Sequence, residues 1–206
     1  MIHKLVYTLL LGAVTALVVK SLPDIARYLK IREMKTPVTR YRILPTRSRV
    51  WIEARSNVHA IETEADGLEG WLDIDMGDHK ITGLESKGRV EFPVANLKSG
   101  NSFEDREMQR RIDGRRHPTI AGDLRMMKAT PEPMRYLVGG DVTFRGVTRN
   151  YEDEMTFENI DDRTIGMSGE STFDIRDFGM DPPRILLLKV QPDVVVRVEI
   201  VAEEET

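Results

Sequence analysis

Beyond its N-terminal segment the chain has three histidines, His59, His79 and His117, and it has no cysteine. Zinc needs several ligands held together, and a general base needs a nucleophile within reach. None of the three histidines has a ligand-type residue at i+2 or i+4, and each lies in a different stretch. No G-x-S-x-G frame surrounds Ser168 or Ser171. The absence of cysteine excludes a thiolate metal site, a thiol nucleophile and a disulfide framework. Glu152, Asp153 and Glu154 read as a solvated strand end. Arg106, Arg110, Arg111, Arg115 and Arg116 form a basic cluster. Such a cluster suits phosphate or anionic head groups, or a charged face paired with Glu104, Asp105, Glu107 and Asp113. These residues point to non-covalent binding without metal or cofactor.

The candidate binding residues are apolar. Val142, Phe144, Met155, Phe157, Phe173 and Val196 fall on the alternating faces of strand-like segments. They suit either contact with an apolar ligand or packing against one another. Ile175, Arg176 and Phe178 surround an Asp177–Gly179 turn, where Arg176 is placed to meet a ligand head group. In the structural alternative Asp177 caps the turn, Gly179 supplies positive φ and Phe178 plugs a core. Leu186 lies in a run of four large aliphatics, Ile185 to Leu188, after Pro182-Pro183. That run reads as an apolar rim, a patch on a bilayer, or a strand buried on both sides.

The elements that must position these residues are mostly strands. Val50, Ile52 and Ala54 alternate with Trp51, Glu53 and Arg55. The same period of two recurs over 68–75, 84–92, 142–144, 155–157, 172–175 and 194–201. Short turns such as Ala65-Asp66-Gly67 and Ile160 to Arg163 separate them. Asn101 to Gly114 lacks β alternation and is rich in helix formers, so it is the one helix, capped by Asn101 or Ser102. Small inward residues (Ala54, Gly70, Ser86, Gly88) leave room inside or mark tight packing at strand bends. An all-β antiparallel barrel or sandwich follows, and a closed barrel of about eight strands can hold one elongated apolar ligand.

Charge divides the 206 residues. Residues 1–42 carry a net +6, and residues 43–206 carry a net −10. Nothing in an overall charge of −4 suggests nucleic acid as a partner. Leu5 to Val19 is uncharged and spans about 22 Å as a helix. Ile2, Leu22 and the stems of Lys4 and Lys20 extend it toward the ~30 Å of a bilayer core. The sequence VVKSLPD that follows is a poor signal-peptidase site. We therefore expect an N-terminal transmembrane helix, inserted through residues 2–22, with a basic juxtamembrane helix up to residue 35. Residues 36–46 read as a linker, with residues 47–203 as the main domain. Lys20-Ser21-Leu22-Pro23-Asp24-Ile25-Ala26-Arg27-Tyr28-Leu29 resembles a small family of actinobacterial one-span proteins and implies no chemistry. The basic residues after the span place the domain in the cytoplasm by the positive-inside rule.

Three stretches carry a further resemblance. They are His117 to Leu124 (HPTIAGDL), Gly139 to Arg149 (GGDVTFRGVTR), and Ser171 to Met180 (STFDIRDFGM) followed by Asp193 to Val198. Together with Arg55 to His59 and Asp105 to Met108, they resemble the YceI-like family, the bacterial polyisoprenoid-binding domain, over about residues 47–203. The resemblance implies a lipocalin-like, antiparallel eight-stranded β-barrel whose interior holds a polyisoprenoid, an isoprenoid quinone or a similar lipid. It also implies export, which opposes the charge rule. Ala121-Gly122-Asp123 and the Ile185 to Leu188 run depart from the family pattern. The expected function is non-enzymatic binding, sequestration or transport of a membrane lipid. The alternatives are an interaction scaffold with a filled barrel, and a hydrolase acting through His117 or His59. A homodimer is compatible with either of the binding readings.

Overall fold

The computed structural model describes residues 38–77, 80–81, 86–185 and 188–205. The expected transmembrane helix, residues 2–22, and the juxtamembrane helix lie outside the described residues, as do His79, Leu186 and Leu187. Among the described residues no helix is long and apolar enough to cross a membrane.

Among the described residues twelve strands follow one another: β1 (Val38–Ile43), β2 (Arg49–Ser56), β3 (Ala60–Ala65), β4 (Glu69–Gly77), β5 (Lys80–Ile81), β6 (Lys87–Pro93), β7 (Thr119–Ala129), β8 (Arg135–Phe144), β9 (Val147–Asn159), β10 (Thr164–Asp174), β11 (Arg184–Ile185) and β12 (Leu188–Glu204). One α-helix among the described residues, α1 (Ser102–Ile112), joins β6 to β7. Eight strands form the ring β1-β4-β6-β7-β8-β9-β10-β12, and β1–β12 pairing closes it. The pairings are antiparallel throughout. The β2–β3 hairpin adds to β12 beside β1.

The strand that closes the ring lies in the segment expected to be a linker. Basic residues hide its pattern: Tyr41 and Ile43 are buried, while Arg40 and Arg42 face out. Arg40 forks onto Asp73 at 2.6 and 2.7 Å and lies 4.5 Å over the Trp71 ring, fixing β1 against β4. Ser48 is fully buried between β1 and β2. Its hydroxyl donates to Val201 O at 3.2 Å and accepts from Val201 N at 3.0 Å, so the break between the two strands leaves no orphaned group there.

Two of the small inward residues serve close strand approach. A Cβ on Gly70 would lie 1.9 Å from Arg89 O, and φ there is +139°. A Cβ on Gly88 would meet the Leu72 side chain at 2.6 Å. The glycines let β4 and β6 bend across one another.

Helix α1 starts as its sequence predicts. Asn101 Oδ1 accepts from Phe103 N at 3.0 Å. Asp113 in the left-handed region ends it, and Gly114 N bonds back to Gln109 O. Ile112 is buried and Met108 half-buried against the barrel core, which anchors the helix across one end of the ring.

Candidate functional site

The barrel interior has two halves. One is packed by Tyr41, Ile43, Ile74, Met127, Tyr136, Phe157, Ile165 and Met167, none more than 6% exposed. The other contains an apolar cavity of about 510 Å³. Its side wall is made of small or branched residues, among them Val50, Ile52 and Ala54 on β2 and Val194, Val196 and Val198 on β12. Gly122 and Val142, which pair across β7 and β8, complete the opposite wall. Phenylalanines 92, 144, 173 and 178 gather where the strands end. Alternation is the same in both halves, but the packed half draws on β1, β4 and β9, whereas the cavity wall draws on β2, β3 and α1.

Helix α1 lies against this cavity. Phe103, Glu104, Glu107, Met108 and Arg111 all line it, at the three- and four-residue spacing of one helical face. Phe103 remains 59% exposed, and His59, at the β2–β3 turn, lines the cavity from across the hairpin. Glu107 Oε1 accepts from Arg111 Nε at 2.7 Å and Arg110 Nη2 at 2.8 Å. Those bonds, Arg110's first, hold the Glu107 carboxyl below its ordinary range.

The barrel wall also divides at one seam. β9 and β10 pair from Asn159–Ile165 to Met155–Gly169, and beyond Gly169 the described partner of β10 is β12. Aromatic rings fill the seam. Tyr151 meets Phe173 edge-on with centroids 4.6 Å apart and stacks on Phe178 at 6.1 Å. Phe178 meets Phe144 edge-on at 5.6 Å. The Tyr151 hydroxyl donates to Asp177 Oδ2 at 3.3 Å. Burial, then the Asp177 charge, pushes the Tyr151 hydroxyl pKa up.

The residues proposed from sequence divide between the two halves. Val142, Phe144, Phe173, Ile175, Phe178 and Val196 line the cavity together. Phe157 lies in the packed half, 1% exposed, edge-on to Tyr136 at 6.0 Å. Met155 is half-buried over Gly169. Arg176 is exposed and bonds to the Asp174 carboxylate. Asp174, not Asp177, caps the turn by accepting from Arg176 N at 2.9 Å. Gly179 adopts φ +68° as expected, and its carbonyl accepts from Arg145 Nη1. β11 and β12 pair antiparallel, Ile185 opposite Leu188, and Leu186 lies outside the described residues.

Sequence reasoning offered Ala54 as an inward residue that leaves room and His59 only as a possible catalytic residue, and it passed over the α1 face, Val50, Ile52 and Ile61 as lining. The i, i+3, i+4 spacing of Glu104, Glu107, Met108 and Arg111 was the available signal. The basic cluster resolves into distinct roles. Glu107 takes Arg110 and Arg111, Arg106 Nε donates to Ser102 O, and Arg116 lies 3.8 Å from Asp113. Asp105 instead binds Ser99 N at 2.7 Å. His117 packs over Gly146. Among the described residues no group of three or more His, Asp or Glu side chains is placed to hold a metal ion.

This architecture has known counterparts. The BcnA structure from Burkholderia cenocepacia superposes with a TM-score of 0.67 at 12% identity, covering 77% of this chain and 98% of that one. A polyisoprenoid binding domain from Saccharophagus degradans, implicated in plant cell wall breakdown, gives 0.65 at 12% identity over 82% of this chain and all of the other. A Campylobacter jejuni YCEI protein gives 0.58 at 15% identity over 71% and 85%. At these identities the likeness shows the fold. No curated protein matches the chain. A family of unknown function (DUF6893) matches residues 4–34. The YceI-like domain model matches residues 41–202, from within the ring-closing β1 to within β12, and the chain belongs to that family.

Proposed function

We propose that this protein binds, without catalysing a reaction, a long apolar lipid chain of isoprenoid type at a membrane. The observation that carries this reading is the 510 Å³ cavity, lined almost wholly by aliphatic and aromatic side chains. Burial supplies about 0.8 kcal/mol per methylene, so a branched hydrocarbon binds here with few polar contacts. The family match and the binding named for the Saccharophagus domain support the same chemistry. A single N-terminal span through residues 2–22 would hold the barrel beside its lipid supply and raise its effective concentration there.

Cavity volume sets a length. A cavity of about 510 Å³ takes a ligand of limited length, and the rest of a longer chain extends beyond it. Affinity should rise with each added unit up to that length and then level off. The test expresses the chain from Pro37, which keeps the ring-closing β1, and identifies co-purifying lipids by mass spectrometry. A stoichiometric isoprenoid supports the reading. A folded, lipid-free protein that also takes up no added isoprenoid overturns it.

A further inference from the structure

The cavity is apolar except on one side. Its polar lining residues are His59, Thr63, Glu104, Glu107 and Arg111, and three of the five belong to α1. The two carboxylates are already engaged. Glu104 Oε1 accepts from Asn101 Nδ2 at 3.1 Å, and Glu107 accepts from Arg110 at both oxygens and from Arg111 Nε at one.

Arg111 differs from its neighbours. Its side chain is only 26% exposed, against 72% for Arg110. Glu107 holds its Nε, and its two terminal nitrogens have no hydrogen-bond partner among the described residues. The Arg111 terminal nitrogens lie at the cavity's polar side and keep some solvent contact, so a ligand acceptor would take the place of water there.

We propose that Arg111 receives the oxygen-bearing head group of the lipid, so that the chain lies in the cavity and its polar end rests on α1. This rests on the lipid-binding reading above. The chemistry recognised is an acceptor oxygen, either a quinone carbonyl or a prenyl phosphate oxygen. Glu107 orients the guanidinium, acting as a positioning residue, and Arg176, held outside by Asp174, takes no part. Specificity for a headed chain then resides in one side chain, while most of the affinity resides in the valine wall.

The test compares full-length wild-type protein with Arg111→Met and Arg111→Lys by native mass spectrometry from detergent micelles. Three ligands of equal prenyl length compete: a prenyl quinone, a prenyl phosphate and the plain hydrocarbon. Wild type should prefer a headed ligand over hydrocarbon by about tenfold or more. Arg111→Met should bring that ratio to within about twofold, and a circular-dichroism spectrum and thermal melt matching wild type report an intact barrel. Arg111→Lys should fall between, since it keeps the charge and loses the fork. Loss of preference for the quinone names a carbonyl head, and loss for the phosphate names an anionic one. Either supports the site. A preference that survives Arg111→Met, or a wild type that ignores head groups, overturns it. A wild type that binds none of the three brings down the lipid-binding reading itself.

Discussion

One half of this barrel is filled and the other is hollow: β7, β8 and β10 contribute to both, while β1, β4 and β9 pack the first and the β2–β3 hairpin and α1 wall the second. β8 shows the contrast along a single face. Tyr136 meets Phe157 in the packed half, and Val142 borders the cavity six residues later. β12 repeats it, with Ile200 and Ala202 nearly unexposed and Val194, Val196 and Val198 along the cavity. The filled half holds stability, and the hollow half leaves room that a ligand can fill. A protein that needs a binding cavity can place it where packing is not needed to close the ring.

The largest expected effect separates the halves directly. Phe157→Ala should destabilise the protein by about 3–5 kcal/mol, through lost burial and the cavity left behind. Chemical denaturation measures it, and the lipid bound per folded molecule should stay constant. Gly70→Ala comes next. Its backbone conformation and the 1.9 Å approach to Arg89 O oppose any side chain, so a loss of about 2–3 kcal/mol is expected by the same assay. Val196→Phe should do the reverse of Phe157→Ala. It fills the hollow half, changes stability by about 1 kcal/mol or less, and cuts isoprenoid uptake at least about tenfold. Equal losses of stability from Phe157→Ala and of binding from both variants would erase the distinction between the halves.

Much of the barrel is legible in the sequence, and the illegible parts share a cause. β2, β4, β8, β10 and β12 announce themselves because one face is apolar and the other charged. β1 does not, since only Tyr41 and Ile43 are large and buried while Arg40, Arg42 and two flanking prolines dominate its composition. β3 (AIETEA) is equally quiet, with Thr63 as its central buried residue. Val142, Phe144, Phe173 and Val196 reach the cavity because alternation fixes which face they occupy. Phe157 shares that face and yet lies in the other half, because alternation gives direction and no depth. Depth depends on which strand ends come together, a property of the pairing register. Helix α1 stayed invisible as a cavity wall because its charges outnumber its apolar residues, although their spacing is regular.

A smaller effect probes the seam where β9 and β10 part. Tyr151→Phe keeps the rings against Phe173 and Phe178 and removes only the bond to Asp177. The expected loss is about 0.5–1.5 kcal/mol. Hydrogen exchange should localise it, with amides of residues 170–174 exchanging faster while those of 165–169, which pair with β9, keep their protection.

The smallest effect is electrostatic and falls mainly on the hollow half. Glu107 is held below its ordinary value of 4.5 by Arg110 and Arg111, and Asp174 below 3.8 by Arg176. In each the folded form favours the carboxylate, so the contribution is complete above the unfolded value and disappears as pH falls through the lower folded one. These groups therefore add nothing variable above about pH 5 and withdraw their support below about pH 4. Both are solvated ion pairs, so the effect is modest and salt weakens it further. Acid should loosen α1 first, since Glu107 joins two arginines of that helix beside the cavity. Amides of α1 should lose hydrogen-exchange protection as pH falls below the ordinary carboxylate range, while the Tyr136–Phe157 region keeps its own. Glu107→Gln should abolish that selective loss. If the acid-induced loosening of α1 survives the substitution, its cause lies elsewhere than in the Glu107 carboxylate.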